Sequence, residues 1–127
     1  RALEEVAERI GAELRASPAE MNHAVAERLR RIHGVTVSVG ALDGSLRRYD
    51  PAARRLDLSE ALPRESRGFQ MAFQLMLLEA RDAVEAVVAP AEPSTSEAAA
   101  LIRLGLLKHA AAALLMPYGP FLAAARD

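Results

Sequence analysis

The hydrophobic pattern of this chain changes its period twice, from about 3.6 residues to 2 after Gly34 and back again after Pro63. Before Gly34, apolar residues recur every three or four positions, which predicts amphipathic helices over residues 1–16 and 18–33. A capping box, Ser17-Pro18-Ala19-Glu20, is expected to start the second helix, and Gly34 is expected to end it in a left-handed conformation. The pattern therefore predicts an α+β fold in which helices flank a short block of strands.

Three short strands are predicted in this block, over residues 35–39, 46–49 and 55–58, where apolar and polar residues alternate. Asp43-Gly44 is a hairpin sequence, and Asp50-Pro51 is typical of a tight turn. Tight turns join strands that run in opposite directions, so we expect a small three-stranded antiparallel sheet with one apolar face.

Helical periodicity returns over residues 64–89, in one or two pieces, and over 97–116 after a second capping box, Ser94-Thr95-Ser96-Glu97. The stretch from Phe69 to Leu78 is apolar almost all round, so it is expected to be the buried central element. The end of the 97–116 helix is nearly as apolar, which also predicts deep burial. A last short helix is predicted over 121–126.

The composition excludes several classes of site. The chain has 127 residues, which suits one domain, and a formal net charge of −1. It has no cysteine, and its three histidines, His23, His33 and His109, are not at ligand spacing, so neither a metal nor another cofactor is expected. No apolar run reaches the roughly 18–20 residues of a membrane span, and no signal peptide is visible. We expect a cytoplasmic domain without a membrane partner and, because it starts at Arg1, a fragment of a longer protein.

Positive charge is concentrated in the middle of the chain, where residues 28–67 hold nine arginines against five acidic residues. Two interpretations stay open at this point. The arginines can form a solvated face with local salt bridges, or they can form a platform for an anionic ligand.

One short segment looks like a catalytic motif that has lost its chemistry. Ala72-Phe73-Gln74-Leu75-Met76-Leu77 is similar to the zinc-peptidase helix Ala-His-Glu-x-x-His. A working version needs two histidines four positions apart on one metal and a glutamate that activates water. Phe73 and Leu77 cannot bind zinc, and the uncharged Gln74 cannot take a proton from water. This segment therefore argues against the hypothesis of a residual hydrolase.

Four motifs in a fixed order extend the resemblance. Together they closely resemble the ImmA/IrrE-like domain of bacterial short-chain fatty acyl regulators, the RamB-like and PrpR-like transcription factors, over most of residues 28–125. The motifs are His33-Gly34-Val35-x-Val37, Leu46-Arg47-Arg48-Tyr49-Asp50-Pro51-Ala52-x-Arg54-x-Leu56-x-Leu58-Ser59, Phe69-Gln70-x-Ala72-x-Gln74-Leu75-x-Leu77-Leu78-Glu79 and Ala111-Ala112-Ala113-Leu114-Leu115-Met116-Pro117-Tyr118-x-x-Phe121-Leu122-x-Ala124-Ala125.

This resemblance implies a zincin-like, metal-free domain that senses short-chain acyl-CoA in a regulator whose upstream helix-turn-helix binds DNA. The chain departs from the family layout in three ways. Residues 1–33 form only a helix pair and no convincing helix-turn-helix, the cysteine-bearing tail is absent, and the stretch 103–108 offers no acidic third metal ligand. DNA is therefore expected as a partner only through a domain outside this chain, and no enzymatic activity is expected.

We accordingly predict an N-terminal helix pair, residues 1–33, and a mostly helical ImmA/IrrE-like regulatory domain, residues 34–127, in one compact, homo-oligomeric unit. Its expected function is to bind a short-chain acyl-CoA in the remnant of a peptidase cleft. The alternative is an oligomerisation or protein-interaction module without a small-molecule ligand. For each candidate ligand-binding residue, a purely structural role is the competing interpretation. These candidates are Phe69, Phe73, Gln74, Leu77, His109, Tyr118, Arg47, Arg48, Arg54 and Arg55.

Overall fold

The computed structural model describes residues 2–14 and 16–116 of the chain. In this part the polypeptide forms two helices, three strands and three further helices, in that order. They are α1 (Ala2–Leu14), α2 (Met21–His33), β1 (Thr36–Gly40), β2 (Arg47–Asp50), β3 (Arg55–Ser59), α3 (Arg64–Glu79), α4 (Arg81–Ala91) and α5 (Ser96–Leu114). The predicted short helix over 121–126 lies outside the described residues.

The ends of α2 confirm one prediction and correct another. Gly34 ends the helix with a left-handed φ of 68°, as expected. Its N–H donates to the carbonyl of Arg30 at 3.0 Å, and the N–H of Val35 donates to that of Leu29 at 2.9 Å. The predicted capping box at Ser17 is wrong, because Glu20 is the N-cap and its side chain makes no capping hydrogen bond. A turn in which the Glu20 N–H donates to the Ser17 carbonyl at 2.9 Å takes up the expected first helical turn, so α2 begins at Met21.

The sheet has the three predicted strands, but it is mixed rather than antiparallel. Its order is β1-β3-β2, with β1 parallel to β3 and β2 antiparallel to β3. The predicted hairpin at Asp43-Gly44 is therefore wrong, because the connection that contains it carries β2 past β3 to the far edge. Burial accounts for this order: Leu56 and Leu58 of β3 are fully buried, whereas Val39 near the end of β1 is 51% exposed.

The helical pattern after Pro63 resolves into two helices, since the chain leaves the helical conformation at Ala80 between α3 and α4. The second capping box is wrong by one residue. Thr95 is the N-cap of α5, and its hydroxyl accepts the N–H of Ala98 at 3.0 Å. Thr95 has the extended backbone that a capping residue needs, so α5 begins at Ser96.

Helix α3 is the central element, as predicted, because it packs on α2, α4 and α5 and is buried from Met71 to Met76. The expected deep burial at the end of α5 is confirmed on one face only, where Ala110, Ala111 and Leu114 are buried. Leu101 is 70% exposed and Leu104 39% exposed, because α5 contacts α1, α3 and α4 through one face only. Ile32 of α2 is also exposed, although it lies three positions after the buried Leu29 on the helix. None of the described helices has the length and apolar character needed to cross a membrane.

Candidate functional site

Phe73 and Gln74 occupy two positions at which a zinc-peptidase helix has histidine and glutamate. Both side chains contact an arginine from the sheet, Arg47. Arg47 lies opposite Leu58 in the β2–β3 ladder, so it shares the inner face of the sheet with that buried leucine. Its Nη2 donates to Oε1 of Gln74 at 2.5 Å, and its guanidinium carbon lies 5.4 Å from the centroid of the Phe73 ring. A hydrogen bond and a cation–π contact thus hold Arg47 against α3.

The environment of Arg47 is unusual for a cation. The Nε of Arg47 is buried and has no hydrogen-bond partner among the described residues. No described carboxylate forms an ion pair with Arg47, and burial lowers its pKa, although an arginine stays charged in proteins. Its partner Gln74 is 1% exposed and uncharged. The site therefore presents a positive charge with unused donors beside a neutral amide and an aromatic ring.

Leu77 occupies the position of the second histidine of a zinc-peptidase helix, but it does not contribute to the Arg47 site. It contributes to a groove of about 120 Å³ between α3, α4 and α5, which neither Phe73 nor Gln74 lines. Hydrogen bonds from Arg103 at the edge of this groove lower the pKa of Glu85, with Nε to Oε1 at 2.6 Å and Nη2 to Oε2 at 3.2 Å. The three positions predicted to line one pocket are thus divided between two places.

The other sheet arginines do not reach α3. Arg48 and Arg55 lie on the outer face of the sheet, 4.0 Å and 3.2 Å from carboxylate oxygens of Asp57. Arg54, with a φ of 51°, donates to the carbonyl of His33 at 3.3 Å. Arg48, Arg54 and Arg55 therefore interact with groups close to them. Arg47 differs from these three residues because it is more buried and contacts α3.

The remaining candidates are scattered. Phe69 is half-buried and packs against the core, whereas His109 is exposed on α5. Tyr118 lies outside the described residues. The side chains at 73, 74 and 77 do not fit a zinc site, since none has a donor suited to zinc. Among the residues that the structure describes, no three histidine or acidic side chains are grouped as metal ligands.

Sequence reasoning missed a buried ionic cluster that joins three helices. Arg28 of α2 donates from Nε and Nη2 to the two carboxylate oxygens of Glu79 in α3, each at 2.7 Å. Its Nη1 donates to Glu13 of α1 at 3.1 Å, and Nε2 of His33 lies 2.9 Å from Glu79. The available sequence signal is the position of Arg28, which falls on the same helical stripe as the buried Val25.

The pKa of Glu79 reflects two opposing effects. Burial disfavours the carboxylate and would raise its pKa, but the hydrogen bonds from Arg28 and His33 outweigh burial and hold the pKa below the usual range. Hydrogen bonds to Glu79 and Glu13 raise the pKa of Arg28. Glu79 is therefore ionised at neutral pH and ties α3 to the N-terminal helices.

Comparison with known proteins identifies the family. The family model for the IrrE N-terminal-like domain, of peptidase type, matches residues 7–127. The chain belongs to this family. The predicted resemblance is thereby confirmed, and the IrrE-like domain is 34% identical over 122 residues to the HTH-type transcriptional regulator RamB of Mycobacterium tuberculosis. That match covers 94% of this chain and 26% of RamB, so the chain spans about a quarter of that relative.

Two further relatives agree with this assignment. The IrrE-like domain is 36% identical over 83 residues to the propionyl-CoA carboxylase regulator of Cereibacter sphaeroides, covering 65% of this chain and 18% of that protein. A solved structure described as a Mycobacterium tuberculosis transcriptional regulator superposes with a TM-score of 0.87 at 32% identity, covering 98% of this chain and 38% of that one. These relatives are named as regulators rather than as enzymes.

Proposed function

We propose that this IrrE-like domain senses a small-molecule effector within a transcriptional regulator, and that the effector is a short-chain acyl-CoA. Two relatives carry the word regulator in their names, and one is named for propionyl-CoA carboxylase. The single observation that carries the proposal is the guanidinium of Arg47, which is charged, partly buried and without a carboxylate partner among the described residues.

An arginine of this kind is built to receive an oxygen acceptor. A buried donor without a partner costs about 1–3 kcal/mol, and a ligand oxygen that takes up the free N–H groups recovers that cost on binding. A thioester carbonyl or a phosphate of an acyl-CoA offers such oxygens, and arginine binds phosphate in a bidentate manner. The Phe73 ring, which packs against the guanidinium and is 9% exposed, offers only its exposed edge to the acyl chain.

Gln74 has a positioning role in this proposal. Its Oε1 accepts the hydrogen bond from Arg47, which fixes the orientation of the side-chain amide and leaves the NH₂ group as a donor. The NH₂ group can then donate to the thioester carbonyl or to an amide carbonyl of the pantetheine arm. A binding site of this type combines an apolar surface with a few placed polar groups.

We also propose that residues 1–33 and 34–127 respond to the effector as one unit. Helix α1 packs on α5 and α2 packs on α3, and the Arg28–Glu79 pair adds a buried ionic contact between the two parts. An effector that favours one arrangement of these helices shifts the state of a DNA-binding domain outside this chain. It does so only to the extent that its affinity for the two states differs.

Calorimetric titration of the folded protein with propionyl-CoA tests the proposal. We expect saturable heat, at least tenfold weaker binding by Arg47→Met, and unchanged binding by the control Arg48→Met, whose arginine lies on the outer face of the sheet. Titration with free coenzyme A shows how much affinity the acyl group adds. Absence of heat at millimolar propionyl-CoA, or wild-type affinity in Arg47→Met, would overturn the assignment.

A second candidate function, self-association, is favoured by the exposed apolar side chains of α4 and α5. Val87 is 40% exposed, Leu101 70% and Leu104 39%. Two copies that pair through this surface would cover these side chains and form a homodimer. Sedimentation velocity over a range of protein concentrations is expected to show a dimer that Leu101→Glu disrupts. A monomer at every concentration would eliminate this candidate.

A further inference from the structure

The groove beside Leu77 has a floor and a rim of different chemistry. Its floor is formed by the aliphatic side chains of Leu77, Val84 and Leu107, from α3, α4 and α5 in turn. Its rim holds Arg81, Glu85 and Arg103. The groove is thus lined by both apolar and charged side chains, a combination that suits a small amphiphilic molecule.

The charges on the rim do not cancel. Glu85 is engaged by Nε and Nη2 of Arg103, which leaves Nη1 of that arginine without a hydrogen bond to a described residue. Arg81 acts on Glu85 only through its charge and donates no hydrogen bond to a described residue. Two guanidinium groups therefore face one carboxylate, and the rim carries one positive charge in excess.

The size of the groove limits the apolar part of a ligand. Its volume is about 120 Å³, somewhat less than the roughly 150 Å³ of an apolar protein cavity that binds benzene. The space is then enough for an apolar group slightly smaller than benzene. A phosphate monoester brings about two negative charges at neutral pH, more than the one excess positive charge of the rim offsets, whereas a neutral alkane would leave that charge without a partner.

We propose that this groove binds a free short-chain carboxylate of about three to five carbons. The aliphatic tail lies on Leu77, Val84 and Leu107, and the carboxylate accepts hydrogen bonds from Arg81 and from the free Nη1 of Arg103. The site shares no residue with the cluster of Arg47, Phe73 and Gln74, so it does not depend on acyl-CoA binding there. The two sites together would let one domain respond both to an acid and to its thioester.

Titration of the isotope-labelled protein with butyrate, followed by ¹H–¹⁵N correlation spectra, tests the site directly. Saturable shifts are expected at the backbone of α4 and of α5, with the largest at the groove residues of these helices. Acetate, which has two fewer methylenes, is expected to bind about tenfold more weakly, since each buried methylene is worth roughly a factor of three to four. Butyramide has the same shape without the charge, and it should bind at least fivefold more weakly than butyrate.

Matched variants separate this proposal from the one for Arg47. Arg81→Gln removes an exposed arginine that has no hydrogen bond to a described residue, so the fold should be retained and butyrate should bind at least fivefold more weakly. Arg31→Gln, at an exposed arginine of α2, is the control and should bind as wild type. Arg47→Met should keep butyrate binding, and Arg81→Gln should keep propionyl-CoA binding.

Three results would overturn the carboxylate site. They are the absence of butyrate shifts in α4 and α5, equal binding of butyrate and butyramide, and an Arg81→Gln variant with wild-type affinity. Loss of butyrate binding in Arg47→Met would also contradict it, because the two ligands would then share one site. Each of these outcomes leaves the calorimetric test of propionyl-CoA unaffected.

Discussion

Replacing Glu79 by glutamine tests whether the buried ionic cluster holds the N-terminal helices on the core. The side chains of Arg28 and Glu79 are 8% and 13% exposed, and two hydrogen bonds of 2.7 Å join them. In Glu79→Gln the amide keeps one oxygen acceptor but loses the negative charge. Arg28 then retains only the carboxylate of Glu13, at 3.1 Å and on a side chain that is 45% exposed.

The expected loss of stability follows from this geometry. Removing one partner of a buried ion pair costs about 3–5 kcal/mol, because the other charge is left buried and uncompensated. The retained amide oxygen and the contact with Glu13 offset part of that cost, so we expect the free energy of unfolding to fall by about 2 kcal/mol. For a domain of this length, the midpoint of thermal unfolding should fall by about 6–10 °C.

Urea unfolding at pH 7, followed by far-ultraviolet circular dichroism, measures this effect. The midpoint should move to lower urea while the slope of the transition is unchanged. A double-mutant cycle with Arg28→Met isolates the pair, and we expect a coupling of at least about 1 kcal/mol. Glu27→Gln is the control, since the Glu27–Arg30 pair is exposed and its loss should leave stability unchanged. A coupling indistinguishable from zero would refute the structural role assigned to the cluster.

Four further results are expected from the same kind of measurement. Gly68→Ala should lower the free energy of unfolding by about 1 kcal/mol or less. The new Cβ displaces the flexible end of the Asn22 side chain, which then loses its hydrogen bond to the Arg64 carbonyl, whereas alanine favours the helix; in an Asn22→Ala background the same change should be stabilising. Gly34→Ala should cost about 1 kcal/mol, visible as a lower thermal midpoint, since the residue has a φ of 68°. Arg47→Met should change the free energy of unfolding by less than about 1 kcal/mol in urea, because removal of the unpartnered buried Nε offsets loss of the hydrogen bond to the buried Gln74. Stability should decrease as the pH falls below about 4.5, the usual pKa of glutamate, through the lower pKa of Glu79 in the folded state, and Glu79→Gln should lack that part of the decrease.

Most of the secondary structure could be predicted because it depends on local pattern. The left-handed Gly34 and the change of hydrophobic period beside it mark the end of α2 and the start of β1 within one residue. Strand order could not be predicted in this way. The Asp43-Gly44 sequence forms a turn with Gly44 at a φ of 69°, yet the strands on either side of it both pair with β3 rather than with each other. Pairing depends on which strand the core buries most deeply, and that is a property of the whole fold.

Comparison with the zinc-peptidase helix identifies Phe73 and Gln74 as residues of the Arg47 site, but it does not predict that they contact Arg47. Phe73 and Gln74 were identified from the residues that they replace, whereas Arg47 and Arg48 looked equivalent in sequence. Adjacent residues of a strand point to opposite faces, and only the pairing of Arg47 with Leu58 shows which of the two faces the helices. The contact between Arg28 and Glu79 joins residues 51 positions apart, and no local pattern connects them.

The neutrality of Gln74 gives the Arg47 site its chemical character. A working zinc helix would place a glutamate at this position, and a carboxylate there would pair with the guanidinium and neutralise it. Glutamine instead accepts one hydrogen bond and leaves the charge uncompensated, while Phe73 replaces a metal ligand with a ring that attracts cations. With glutamine and phenylalanine at the positions where a zinc-peptidase helix has glutamate and histidine, Arg47 has no carboxylate partner among the described residues. A fixed organic cation can bind an anionic or carbonyl ligand without activating water, which suits a sensor better than a hydrolase.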